Sequence, residues 1–204
     1  MKIYQRSKQE SQLKNGIKIA VNIIMKKYDK KDFPVTEARR FLEPTPTVLV
    51  TSAYQDKKNV MAMGWYTIME FVPSLIGCMI SSGNHSFELI RKSKECVINI
   101  PTLELAKTVV AIGNCSGSEV DKFEQFSLIS ETGKLVKAPL LVNCFASFEC
   151  KLYDDKLVKD YNFFIFEIVK AHVASSPKYP KTIQYRGDSH FVESGRNIII
   201  NSLK

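Results

Sequence analysis

From about residue 45 onward, the apolar positions fall in short runs bracketed by proline or polar turn residues. TPTVLVTSA (45–53) follows Pro44 and is rich in Val and Thr, which suit a pleated surface. YQDKKN (54–59) reads as a polar turn, VMAMGWYTIMEF (60–71) resumes the extended pattern, and Pro73 starts SLIGCMIS (74–81). The three runs predict an antiparallel meander.

GNHS (83–86) breaks the pattern. SFELIRKS (86–93) predicts a short helix with Asn84 or Ser86 near its N-cap, and CVINI (96–100) a strand ended by Pro101. Thr102 is placed to cap a helix to about Ile112 with Leu103, Ala106 and Val110 on its buried face. Residues 113–126 read as a loop with one helical turn, and 127–140 as irregular. Residues 142–152 alternate, with Val142, Cys144, Ala146, Phe148, Cys150 and Leu152 on one side, which predicts a half-buried strand. YNFFIFEIVKAHVA (161–174) is apolar on both faces, as expected if it is covered on both sides in a closed barrel whose outer wall meets a partner subunit. The predicted fold is mainly β, a barrel-like domain with short α insertions.

Composition changes this picture little. Of 204 residues, 45% are hydrophobic and 25% charged, which excludes collagen-like, disordered and disulfide-scaffold classes. The net charge of +8 invites a nucleic-acid reading, but its location removes that support. Residues 1–31 carry +7 and residues 32–204 only +1. The expected organisation is therefore a basic extension (1–31) followed by one domain (32–204), with neither nucleic acid nor membrane as partner. Three readings of the extension stay open: a solvated, partly helical tail, a basic amphipathic helix that touches a membrane or nucleic acid, and a reading frame that runs upstream of a natural start at Met25. Five cysteines without C-x-x-C spacing predict reduced thiols in a cytoplasmic protein, and no metal site.

The sequence lacks a G-x-G-x-x-G turn after a strand, a P-loop, a G-x-S-x-G elbow and an H-E-x-x-H pair. Of the three histidines, His172 reads as structural. Asn84-His85-Ser86 combine polar side chains with a helix amino end, where free N–H groups favour an anion; an ordinary cap is the competing reading. Residues 113–122, with Ser116, Ser118 and Lys122, are a second phosphate candidate or a plain loop. Trp65, beside Met61, Met63 and Gly64, suits either a planar ligand or the core.

Four blocks taken together resemble the flavin reductase-like, FMN-binding split-barrel family, of the flavoredoxin type. They are residues 42–81, NHSFELIRKSKECVINIP (84–101), IGNCSGSEVDKF (112–123), and FECKLYDD with NFFIFEIVKAHV followed by YRGDSHFVESGR (148–196). The resemblance implies a Greek-key-like split barrel, a homodimer, and FMN (before FAD) held non-covalently near the subunit interface. It implies an oxidoreductase with NAD(P)H as co-substrate, or else an electron carrier served by a redox protein partner.

Residue by residue, the resemblance assigns Asn59 to the flavin-facing turn and Trp65 to the flavin-facing strand. It assigns Ser86 to the phosphate, with Asn84, His85 and the nearby Ser81 beside it, and Lys122 to the polar end of the cofactor. Met61 and Met63 stand where the family often has Thr, so contacts along Met61, Ala62, Met63 and Gly64 are expected from the backbone. Tyr161 replaces a common His, and Tyr185 and Arg186 are expected to border the pocket. No catalytic side chain is implied, because flavin carries the redox chemistry itself.

Overall fold

The computed structural model describes residues 45–196 and 198. The basic extension, and the start of the domain at 32–44, lie outside the described residues.

Strands β1 (Val48–Tyr54) and β2 (Lys57–Met63) form a hairpin in which Tyr54 faces Lys57. The turn is therefore only Gln55-Asp56, shorter than the 54–59 connection expected, because Lys57 and Lys58 are exposed strand residues whose polarity mimics a loop. β3 (Tyr66–Glu70) and β4 (Leu75–Met79) follow, then α1 (His85–Ser93), β5 (Glu95–Ile100), a 3-10 turn at Leu103–Leu105, and α2 (Ala106–Gly113). The chain continues through α3 (Lys122–Gln125), β6 (Ser130–Glu131), β7 (Leu140–Leu141), β8 (Ala146–Asp154), α4 (Val158–Tyr161), β9 (Phe163–Val173), and a hairpin of β10 (Ile183–Gly187) and β11 (His190–Glu193).

Seven strands make one antiparallel sheet in the order β2-β1-β5-β8-β9-β4-β3. Its two edges are consecutive in the chain, joined only by Gly64-Trp65. A flat sheet of this width spans roughly 29 Å at about 4.8 Å per strand, whereas Met63 and Tyr66 are at most about 11 Å apart. The sheet must curl until its edges meet at that corner. They meet without pairing, so the barrel is split, in agreement with the split barrel that the resemblance implies and against the closed wall that the apolar pattern of 161–174 suggested. Two bonds pin the corner: Met79 N–H donates to Trp65 O at 2.9 Å, and the Tyr66 hydroxyl to Pro46 O at 2.7 Å.

The inside of the curl is apolar: Val48, Val50, Met61, Met63, Ile76, Cys78, Ile98, Cys150, Phe164 and Phe166 pack there. A second cluster, with Leu49, Val60, Val109, Ile112 and Phe123, lies on the other face of β1 and β2 under α2 and α3. Burial of β1 on both faces explains its unbroken VLV run. All five cysteines are free. Burial pushes the Cys78 thiol up and the Cys144 thiol to about 12, so neither ionises readily.

Three expectations are corrected. The buried face of α2 carries Val109 and Ile112 rather than Val110, because the preceding 3-10 turn changes the helical phase. The strand expected from 142 starts at Ala146, leaving Val142 and Cys144 in the turn before it. Its expected solvent face is buried at Ser147 and Glu149 because the 133–138 loop covers it. There Glu149 accepts from the N–H groups of Lys134, Leu135 and Val136 and pairs with His172 Nε2 at 2.7 Å. β9 is fully buried only at Phe164 and Phe166, so its far end lacks the expected cover.

Candidate functional site

The open seam of the barrel is a cleft. A cavity of about 410 Å³ lies against the free edge of β2, with Met61, Ala62, Met63, Gly64 and Trp65 on one side and Met79, Ser81 and Asn84 on another. Val109, Val110, Gly113 and Asn114 from α2 and its end, and Tyr185, Ser189 and Phe191 from the β10-β11 hairpin, complete it. The rings of Tyr185 and Phe191 pack with centroids 5.0 Å apart. Met61 and Met63 direct their side chains into the core, and among the described residues β2 pairs only with β1, so its other edge carries backbone N–H and C=O groups outside the sheet ladder. The wall therefore presents a strand edge among apolar side chains, with the Gly64 carbonyl already accepting from the Thr45 hydroxyl.

Two features of this wall bear on what the cavity can hold. Thr47 contributes to its wall, and its hydroxyl oxygen is buried behind that surface without a hydrogen-bond partner, a state that ordinarily costs about 1–3 kcal/mol. A Cβ added at Gly64 would meet nothing within 4 Å, so the wall is open there.

A polar cavity of about 530 Å³ adjoins the first and shares Asn84, Gly113 and Asn114 with it. Asn59, His85, Ser116, Gly117, Glu119 and Lys122 line it. The amino end of α1 opens here: Asn84 has extended backbone geometry and makes no side-chain cap, its own N–H is taken by Ser81 O and that of Phe87 by Asn84 O, and Ser86 is fully buried, which leaves His85 as the first-turn residue that can offer its N–H to an anion. Asn59 is held from behind, its Nδ2 donating to Ser86 Oγ at 2.9 Å, which also accepts from Ser52 at 3.2 Å. Gly117 closes over Asn59 so tightly that a Cβ there would lie 2.1 Å from Asn59 Oδ1. The Lys122 ammonium donates to Ile112 O at 2.8 Å near the carboxyl end of α2, and burial lowers its pKa.

The structure thus gathers Asn59, Met61, Ala62, Met63, Gly64, Trp65, Ser81, Asn84, His85, Lys122 and Tyr185 around one groove. Ser86 stands apart: its side chain is fully buried and lies behind Asn59 instead of on a cavity wall. Tyr161 and Arg186 are exposed and line neither cavity. Sequence reasoning missed Thr47, Ser189 and Phe191, which reach the groove only through long-range packing; a Thr beside a proline at a strand start was the one local hint.

Comparison with known proteins agrees with this architecture. The sequence model of the flavin reductase like domain matches residues 39–192. A functionally uncharacterized protein of Archaeoglobus fulgidus is 32% identical over 169 residues, covering 82% of this chain and 94% of its own length. Among solved structures, the fold is similar to flavoredoxin of Desulfovibrio vulgaris (TM-score 0.70, 22% identity, 87% of this chain and 97% of that one). It is also similar to an FMN-binding protein of Thermus thermophilus solved with p-hydroxybenzaldehyde (TM-score 0.72, 19% identity, 87% and 100%). With the domain model matched over residues 39–192 and a relative 32% identical over most of both chains, this chain belongs to the flavin reductase-like family.

Proposed function

We propose that the protein binds FMN in this groove and works as an NAD(P)H-dependent flavin oxidoreductase that passes electrons onward. The carrying observation is the pairing of an apolar cavity, with one orphaned hydroxyl, and an adjoining polar cavity at the open amino end of α1. FMN would supply a hydride-accepting ring and a phosphate, which suit these two halves. The outer edge of β2 would hold the polar edge of the ring, with the Thr47 hydroxyl reached only if the wall gives way on binding, and Met79, Trp65 and Tyr185 would meet its apolar faces. Asn84, His85 and Lys122 would face the phosphate, and Ser86 would fix Asn59.

Trp65, Ile68, Met69, Phe71, Val72 and Met79 form an exposed apolar strip along β3 and its turn, and Trp65 and Met79 also line the apolar cavity. This strip supports a homodimer whose interface borders the groove. Light scattering should give a dimer for the native chain and a monomer for Phe71→Glu/Val72→Glu; a native monomer rules the dimer out.

Stopped-flow mixing of the FMN-loaded protein with NADH and NADPH tests the activity. Fast bleaching of the flavin band supports the reductase. Slow or absent bleaching favours an electron carrier reduced by a protein partner.

A further inference from the structure

The groove does not stop at the polar cavity. A third cavity of about 400 Å³ continues from it, sharing Gly83, Asn84, His85 and Ser116. Its other walls come from the β1-β2 hairpin and the outer face of α1, and they differ in chemistry from both neighbours. Tyr54 supplies an aromatic ring and Leu89 an apolar floor. Lys57 and Lys92 supply two ammonium groups, with Lys92 Nζ 5.8 Å from the centre of the Tyr54 ring. The one carboxylate on the wall, Glu88, is occupied by a two-bond pair with Arg91, at 2.9 and 2.8 Å. The cavity is therefore cationic, with a ring to stack on, and it lies beyond the place where a flavin phosphate would end.

We propose that this third cavity is a subsite for an adenosine phosphate. Tyr54 and Leu89 take the purine, and Lys57 and Lys92 take the phosphate. Free inorganic anions suit the lysines but leave the ring unused; a purine nucleotide uses both. The same chemistry occurs in two redox molecules: the adenylate half of a flavin dinucleotide, and the adenosine end of NAD(P)H. The subsite extends the groove proposed above and rests on that reading for its role, but its chemistry is testable without flavin.

The test is calorimetric titration of the full chain with 5′-AMP. AMP should bind the native protein, and Lys57→Ala/Lys92→Ala should weaken it by about tenfold or more, as expected for two lost charge-assisted contacts. Tyr54→Leu should weaken AMP while leaving inorganic phosphate unchanged. No AMP binding, or equal binding by the native and double-lysine proteins, overturns the subsite. Two further titrations identify the source. If FAD binds more tightly than FMN to the native protein but not to the lysine variant, the subsite serves a flavin dinucleotide. If NADPH displaces AMP from FMN-loaded protein, it serves the nicotinamide cofactor. AMP binding with neither behaviour places the cavity outside the cofactor groove and refutes the proposal. Failure of FMN itself to bind would overturn the flavin reading and leave the AMP result to stand alone.

Discussion

Ser86→Ala separates two roles for one hydroxyl. The resemblance places Ser86 against a phosphate, but the structure buries it completely, with its Oγ accepting from Asn59 Nδ2 at 2.9 Å and from Ser52 at 3.2 Å. Removing that oxygen leaves a buried amide and a buried hydroxyl without their acceptor. One such loss costs about 1–3 kcal/mol. We take about 2 kcal/mol for the pair, since Asn59 borders a cavity and can recruit water. For a domain of this size, that lowers Tm by roughly 4–8 °C. The assay is thermal unfolding of flavin-free protein alongside FMN titration. The variant should lose stability without any flavin present, and FMN affinity should fall because Asn59 is no longer fixed. In an Asn59→Ala background, the same change should cost much less, since the two residues share one bond. An unchanged Tm with a large loss of FMN affinity would mean that Ser86 touches the ligand directly, and would refute the reasoning.

Further predictions address the cavity and the sheet. Thr47→Val removes an unpartnered buried hydroxyl, so flavin-free stability should hold or rise while FMN binds less tightly; equal affinity would detach Thr47 from the ligand. Gly64→Leu adds a side chain where nothing stands within 4 Å, so the domain should still fold by circular dichroism but fail to take up FMN. Burial alone would raise the Glu149 pKa, but His172 and three backbone N–H groups outweigh it and hold it at about 2, below its ordinary 4.5. That difference contributes about 3 kcal/mol, present above about pH 4.5 and lost as pH falls toward 2. Denaturant titrations from pH 6 to pH 3 should show this slope, and Glu149→Gln should flatten it.

Strands β1, β4 and β5 were legible because burial on two faces and flanking prolines leave strong local marks. The face of β8 was not: Glu149 reads as solvent-facing, and only the 133–138 loop, folded over it, makes a buried carboxylate stable. The open seam was legible only through the family resemblance and not in the hydrophobic pattern, since pairing or non-pairing of β2 with β3 depends on the whole curl of the sheet. In the site, residue types could be aligned with a family, but depth could not. Ser86 and Tyr161 illustrate this, one fully buried behind the wall and the other on the surface. Thr47 shows the converse: its significance is an unmet hydrogen bond, visible only once its surroundings are known.

The central claim is that the split seam holds a flavin, and the absorption spectrum of the purified protein tests it most directly, with mass identification of the released cofactor. The account predicts flavin bands and the mass of FMN, or tight uptake of added FMN by protein purified without it. Protein that shows no flavin band and takes up no FMN would contradict it.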